Sequence, residues 1–208
     1  MKTITERNFE SIVRECFHIP LKPLGFKKKG NNFYRKLKDL GQIINIQKST
    51  FYSKDHISFT INTGLFVAEY WLTYFTHHNG EIPDYPIEAA CAIRQRIGSL
   101  NGTFDTWFDI DFSTDLSELR KETINNVKNT IVPYFERNQT KDDIIELIQD
   151  KSINFNLSSK FVKLIIFGEY QEFAKAQIEY DELKKDKYIF NNMQSSLIEY
   201  RDKYKLRD

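Results

Sequence analysis

The spacing of apolar residues switches from helical to strand-like and back again along this chain, and that switch sets its fold class. In residues 4–18, Phe9, Ile12, Val13, Cys16 and Phe17 recur at i, i+3, i+4, i+7 and i+8, which puts them on one stripe of an amphipathic helix. Thr3 and Glu6 are placed as a capping box at its start, and Pro20 and Pro23 are expected to stop it. From residue 31 to 67 the period falls to two. Phe33, Arg35 and Leu37 alternate with Tyr34, Lys36 and Lys38, and Asp39-Leu40-Gly41 gives a tight connection to residues 42–49, so a hairpin is expected. In the next run Ile57, Phe59, Ile61, Leu65 and Val67 share one face and Ser58, Thr60 and Asn62 the other, which predicts a sheet with one buried and one polar face.

The aromatic run at 68–76 has no decisive period and is read as a strand. Residues 77–86, polar and carrying Gly80, Pro83 and Pro86, read as an exposed loop. Residues 90–100 and 105–112 read as two further strands joined through Asn101-Gly102. After Ser113 the helical period returns. Asp115 or Ser117 caps a helix carrying Leu116, Leu119, Ile124, Val127 and Ile131 as far as Pro133. Helices are then expected at 141–150, 159–167, 169–185 and 191–205, with Gly168 and Asn191-Asn192 as breaks. The pattern predicts an α+β fold: an antiparallel β-sheet, an N-terminal helix packed on one face, and a C-terminal α-helical appendage. Residues 1–132 are expected to form the core domain and 133–208 a helical extension packed on it.

Composition removes several classes of function. Lys plus Arg (30) nearly equals Asp plus Glu (29), so no overall field favours a nucleic-acid coat. No apolar run approaches the roughly 20 residues that span a bilayer, and charge near the N-terminus takes the place of a secretion signal's apolar core. The expected location is cytoplasmic, with no membrane partner. Cys16 and Cys91 stand at apolar positions and read as reduced, buried thiols. His77 and His78 are adjacent and lack further ligands at metal-binding spacing, so no metal is expected. Nor is there a nucleophile elbow, a Cys-x-x-Cys pair or a phosphate-binding glycine loop, and no cofactor is expected.

Two polar constellations remain. Lys27, Lys28, Lys29, Arg35, Lys36, Lys38 and Lys48, interleaved with Phe26, Phe33 and Tyr34, form either a lysine-protected edge hairpin or a stacking surface for single-stranded nucleic acid. In the two later strands Arg94 and Arg96 share a face, as do Trp107, Asp109 and Asp111. Paired through Asn101-Gly102, the strands would set the arginines opposite the aspartates. Such a set is either a solvated charge ladder or a face whose guanidinium groups and indole hold a carboxylate, a phosphate or a partner's acidic side chain. Asn45, Gln47, Ser58, Thr60 and Asn62 would extend that face.

Leu24-Gly25-Phe26-Lys27-Lys28-Lys29, Phe33-Tyr34-Arg35, Asn45-Ile46-Gln47-Lys48-Ser49, Phe59-Thr60-Ile61-Asn62-Thr63-Gly64, and Arg94-Gln95-Arg96-Ile97-Gly98 with Trp107 follow one another in an order that resembles the bacterial domain-of-unknown-function family 4304, over about residues 9–132. The resemblance brings no catalytic residues. It implies a small cytoplasmic accessory protein, and because some members stand beside polymorphic toxin genes, an immunity-type protein. Two functions of different class follow. The first is a non-enzymatic module that binds an unidentified protein partner. The second is an enzyme or effector acting on an anionic small molecule or nucleic acid, with Arg94 and Arg96 as clamp and Asp109 or Asp111 as acid or base.

Overall fold

The capping box forms as the spacing predicts: Thr3 Oγ1 accepts from Glu6 N and the Glu6 carboxylate accepts from Thr3 N at 2.7 Å, opening α1, Ile4–Ile12. The structure is a computed structural model that describes residues 2–51, 53–75, 80–150 and 160–208, together with the backbone of 156–157. Pro20 does not stop the first helix. A π-helical stretch, Val13–His18, leads into α2, Ile19–Leu21, and a 3-10 turn, Lys22–Leu24. Ile19 N–H donates to Arg14 O, five residues back, which widens the turn ahead of Pro20. The proline then stands in the first turn of a new segment, where no N–H is required.

Seven strands form one antiparallel sheet among the described residues: β1 (Lys27–Lys29), β2 (Asn32–Lys36), β3 (Gly41–Lys48), β4 (Ile57–Phe66), β5 (Ile93–Arg96), β6 (Phe108–Ile110) and β7 (Asn156–Leu157). Their order is β1-β2-β3-β4-β5-β7, and β6 also pairs with β4. Two strands share that one edge of β4, with β6 opposite Ile57 to Phe59 and β5 opposite Asn62 to Leu65. The expected hairpin between the later strands is therefore absent. Beyond β5 the chain turns at once into α4, Ile97–Leu100, and the following loop folds back so closely that a Cβ at Gly98 would stand 2.0 Å from Phe104 O.

On one face of the sheet Phe33, Ile44, Ile46, Phe59, Ile61, Leu65, Ile93 and Ile110 are buried against Phe9, Ile12, Cys16 and Phe17 of the N-terminal helix and against the C-terminal helices. The other face is divided. At one end a smaller cluster of Tyr34, Ile43, Phe66, Trp71, Ala90 and Cys91 covers it; at the other it is polar, with Thr60 and Asn62 themselves buried. The run expected as a strand at 68–76 is not one over 68–75, and residue 76 lies outside the described residues. Ala68–Tyr74 is α3, because a helix stacks Tyr70 on Tyr74 at 5.3 Å and brings Trp71 to within 4.5 Å of Phe75, both pairs at i, i+4.

Asp115 caps α5, Leu116–Asn126, by accepting from Ser117 N and Glu118 N. A π-helical stretch, Val127–Ile131, continues into α6, Val132–Glu136. Residue 132 thus falls inside a continuous helix. Gln42 Nε2 donates to Phe135 O at 2.7 Å and Asn138 O at 2.8 Å across that position, and one apolar cluster runs from Phe9 to Tyr204. There follow α7 (Lys141–Gln149), α8 (Val162–Glu169), α9 (Phe173–Lys185), α10 (Lys187–Asn192) and α11 (Gln194–Tyr204). Strand β7 is an addition to the helical reading of this region. Gly168 is also not a break: it lies within α8 under the ring of Tyr204, and the chain turns instead at Gln171, where φ is 62°. Among the described residues no helix is long and apolar enough to cross a membrane.

Candidate functional site

The polar half of the sheet is organised by register. Asn32, Asn45, Asn62 and Arg96 are direct partners in turn across β2, β3, β4 and β5, so four polar side chains form one row on one face. Asn45 Nδ2 donates to Asn32 Oδ1 at 2.7 Å, and Asn62 Nδ2 donates to Asn45 Oδ1 at 3.2 Å and to Gln47 Oε1 at 2.8 Å. Each amide holds the next, so the row is positioned before any ligand arrives.

At the Arg96 end of this row lies a cleft of about 470 Å³, lined by Gln47, Asn62, Glu88, Arg94, Gln95, Arg96, Ser99 and Asp105. Arg94 forks onto Glu88, donating from Nε to Oε1 at 2.6 Å and from Nη2 to Oε2 at 3.0 Å, a planar bidentate match. Glu88 is supplied by the 3-10 turn Glu88–Ala90 and is nearly buried. Arg96 is paired with Asp105 and carries its guanidinium 5.5 Å from the centroid of the Trp107 ring. Trp107 Nε1 closes the triangle by donating to Asp105 Oδ2 at 3.0 Å. The hydrogen bond from Arg96 holds the Asp105 carboxyl below the usual carboxylate range, and the hydrogen bond to Glu88 raises Arg94. Both shifts strengthen the charged form. The cleft can orient polar groups through amides and fixed charges, with both cations already matched to anions.

Arg94, Arg96, Trp107, Gln47 and Asn62 are therefore brought together, whereas Asp109 and Asp111 are not. Because β6 pairs with the far half of β4, Asp109 is opposite Ser58 and its carboxylate meets His56 Nε2 at 2.8 Å. Asp111 closes its own turn by accepting from Ser113 N and Ser113 Oγ, each at 2.8 Å. Thr60 Oγ1 is turned to Thr106 O at 2.7 Å. Residues unforeseen from the sequence supply the anions: Glu88 and Asp105, with Ser99 on the cleft wall and Asn32 at the end of the row. Asp105, two residues before Trp107, carried a local signal, but Glu88 is brought to Arg94 only by the turn between them.

The basic hairpin does not present a stacking platform, since Phe26, Phe33 and Tyr34 are buried. Lys27, Lys28 and Lys29 are exposed on β1, at the edge of the sheet, where charge discourages edge-to-edge association. Arg35 is tied to Gln42 Oε1 at 2.8 Å and to Glu136 Oε1 at 2.9 Å. His77 and His78 lie outside the described residues; among those described, no group of three or more His, Cys, Asp or Glu side chains is disposed to hold a metal ion. Burial pushes the Cys16 thiol up to about 11 and raises Cys91 as well.

No curated protein matches the chain, and no solved structure does. The family model described as "Domain of unknown function (DUF4304)" matches residues 17–137. That span is more than half of the chain and takes in every residue lining the cleft. The chain therefore belongs to the DUF4304 family of domains of unknown function.

Proposed function

We propose that this chain is a non-enzymatic protein-binding module whose polar cleft receives a polar segment of a partner protein. The observation that carries this reading is the paired state of the cleft: Arg94 forks onto Glu88, and Arg96 is held by Asp105 and Trp107. A general acid or base needs a proton affinity tuned near the working pH, and the two shifts resolved here run the other way. Clamping an anion would require both arginines to leave their carboxylates, and the aspartates proposed as acid or base lie off the cleft. These points favour the binding module over the enzyme. Phe104, beside Asp105 and 95% exposed, supplies an aromatic anchor of the kind that interfaces use. In its finer form the reading is of a bacterial, cytoplasmic accessory or immunity-type protein, with a toxin domain as the partner.

The test places a photo-crosslinking residue at Gln47, which lines the cleft and is exposed, with Lys187 on α10 as the control position. In the native host the Gln47 derivative should capture a protein that the Lys187 derivative does not. The adduct should fall tenfold or more in Arg96→Gln/Asp105→Asn, because a buried arginine contact at an interface typically contributes upwards of about 2 kcal/mol. Folding should be little affected, since removing both members of an exposed pair costs about 0 to 1 kcal/mol. Identical adducts from the two positions, or an adduct undiminished in the double variant, would defeat the reading.

A further inference from the structure

We infer that a second cleft, between β5–α4 and α6–α7, is a recognition site for a basic peptide segment, taking an arginine or lysine side chain together with a backbone carbonyl beside it. This rests on the reading of the chain as a protein-binding module and assigns the chemistry of the partner. The cleft has a volume of about 890 Å³, within the range of sites that enclose a ligand of side-chain to drug size.

Its two walls make different demands. On α7 and at its end, Asp143, Glu146, Leu147 and Asp150 follow at the spacing that puts them along one helix face, and Glu136 stands at the end of α6. Against these four carboxylates the lining residues include one cation, Arg137. Most of the negative charge is already used: Asp143 Oδ2 accepts from Gln139 N and Thr140 N, Glu136 holds Arg35, and Asp150 too has a partner. The Glu146 carboxylate has neither a hydrogen-bond nor an ion-pair partner among the described residues.

The opposite wall holds Gln95, which is 4% exposed and whose Nε2 makes no hydrogen bond among the described residues. Buried amide donors in folded proteins are nearly always matched, so this one calls for an acceptor from a ligand. The occupant must therefore carry a cation for the α7 side and an acceptor for the β5 side. An anionic ligand fails the first demand and a simple polyamine the second. A peptide carrying arginine or lysine meets both, and Leu100 and Leu147 offer apolar surface to the methylene stem of such a side chain. Gln95 and Ser99 also line the Arg94–Arg96 cleft, so the two sites adjoin.

The probe is N-acetyl-arginine methylamide, titrated into the full chain with amide resonances followed by NMR. The norleucine analogue and spermidine serve as comparisons. Saturable shifts are expected at the Gln95 side-chain amide, Ser99 and Leu147 with the arginine probe. Glu146→Gln, a change at an exposed helix position that leaves the fold intact, should weaken that binding about two- to fivefold, as loss of one exposed ion pair predicts. Equal binding of norleucine amide or spermidine, no saturation, or no effect of Glu146→Gln would overturn the proposal. The two readings fail separately: the Arg96→Gln/Asp105→Asn variant should bind the arginine probe normally, and a lost Gln47 crosslink with this titration intact counts against the first reading alone.

Discussion

Replacing Gly168 by Ala sets two known effects against each other, and the structure says which wins. In the middle of a helix the change is ordinarily favourable by about 1 kcal/mol, because alanine loses less backbone freedom on folding. At residue 168, however, a Cβ would lie 2.5 Å from Cδ2 and Cε2 of Tyr204 and 2.6 Å from Cδ1. The ring has little freedom to retreat. Tyr204 is buried, its hydroxyl donates to Glu169 Oε1 at 2.8 Å, and that carboxylate also receives Thr73 Oγ1 at 2.8 Å and Lys203 Nζ at 2.6 Å. To reach ordinary contact distance the ring must move by an ångström or more, which strains the packing by about 1 to 3 kcal/mol and stretches a hydrogen bond to a charged group that contributes about 1.5 to 3 kcal/mol. Net of the helical gain, Gly168→Ala should destabilise by about 2 to 5 kcal/mol. For a chain of this size that is a fall in melting temperature of roughly 5 to 15 °C. Circular dichroism melts of four proteins decide it: wild type, Gly168→Ala, Tyr204→Ala and the double variant. In the Tyr204→Ala background the glycine change should reverse sign and stabilise by up to about 1 kcal/mol. A single Gly168→Ala variant that melts at or above wild type would refute the argument.

Asp105→Asn should melt below wild type near neutral pH. Because pairing with Arg96 lowers the Asp105 carboxyl, its contribution is present above the unfolded value of about 3.9 and is lost as pH falls through the folded one, so a gap that persists unchanged at pH 2 would contradict the pairing. At pH 8 the native protein should leave a thiol reagent such as DTNB uncoloured, since burial raises both thiols; both should react in concentrated guanidinium, and fast native labelling would show either site to be open. A chain ending after Pro133 removes both acceptors of Gln42 and the Glu136 partner of Arg35, along with core residues from Phe135 to Tyr204. That fragment should show no cooperative melt, and a sharp transition would establish 1–133 as a self-sufficient domain.

Local devices were legible in the residues themselves. Thr3 with Glu6, Asp115 ahead of Leu116, and the alternation from Asn32 to Lys48 each act within a few positions, so spacing alone reveals them. Readings failed where a distant segment decides. Gly168 looks like a helix break until Tyr204 is brought over it. The two later strands look like a hairpin until each takes a separate half of β4. The aromatic run at 68–75 did carry a helical signal, in the i, i+4 pairs Tyr70 with Tyr74 and Trp71 with Phe75, but aromatic content suggested a strand. In the cleft, Arg94, Arg96, Gln47 and Asn62 were visible as polar positions on expected strands. Their anions were not, because Glu88 and Asp105 reach them from turns whose path only the folded chain defines.

The placement of β7 has a consequence for how the chain is made. β5 ends at Arg96, yet the backbone that pairs with Ile93 and Arg94 on its outer side belongs to Asn156 and Leu157. During synthesis on the ribosome that side of β5 stays uncovered while about 60 further residues are added, roughly 3 to 12 s at ordinary elongation rates. An unpaired strand flank is a template for association with another chain. Over that interval neighbouring nascent chains on one message are at high local concentration, with β5 available to each. A pause that holds the chain after β5 has emerged from the ribosome but before β7 has should therefore raise aggregation in the cell without altering the finished protein, while the same pause imposed once residue 160 has emerged should have no such effect.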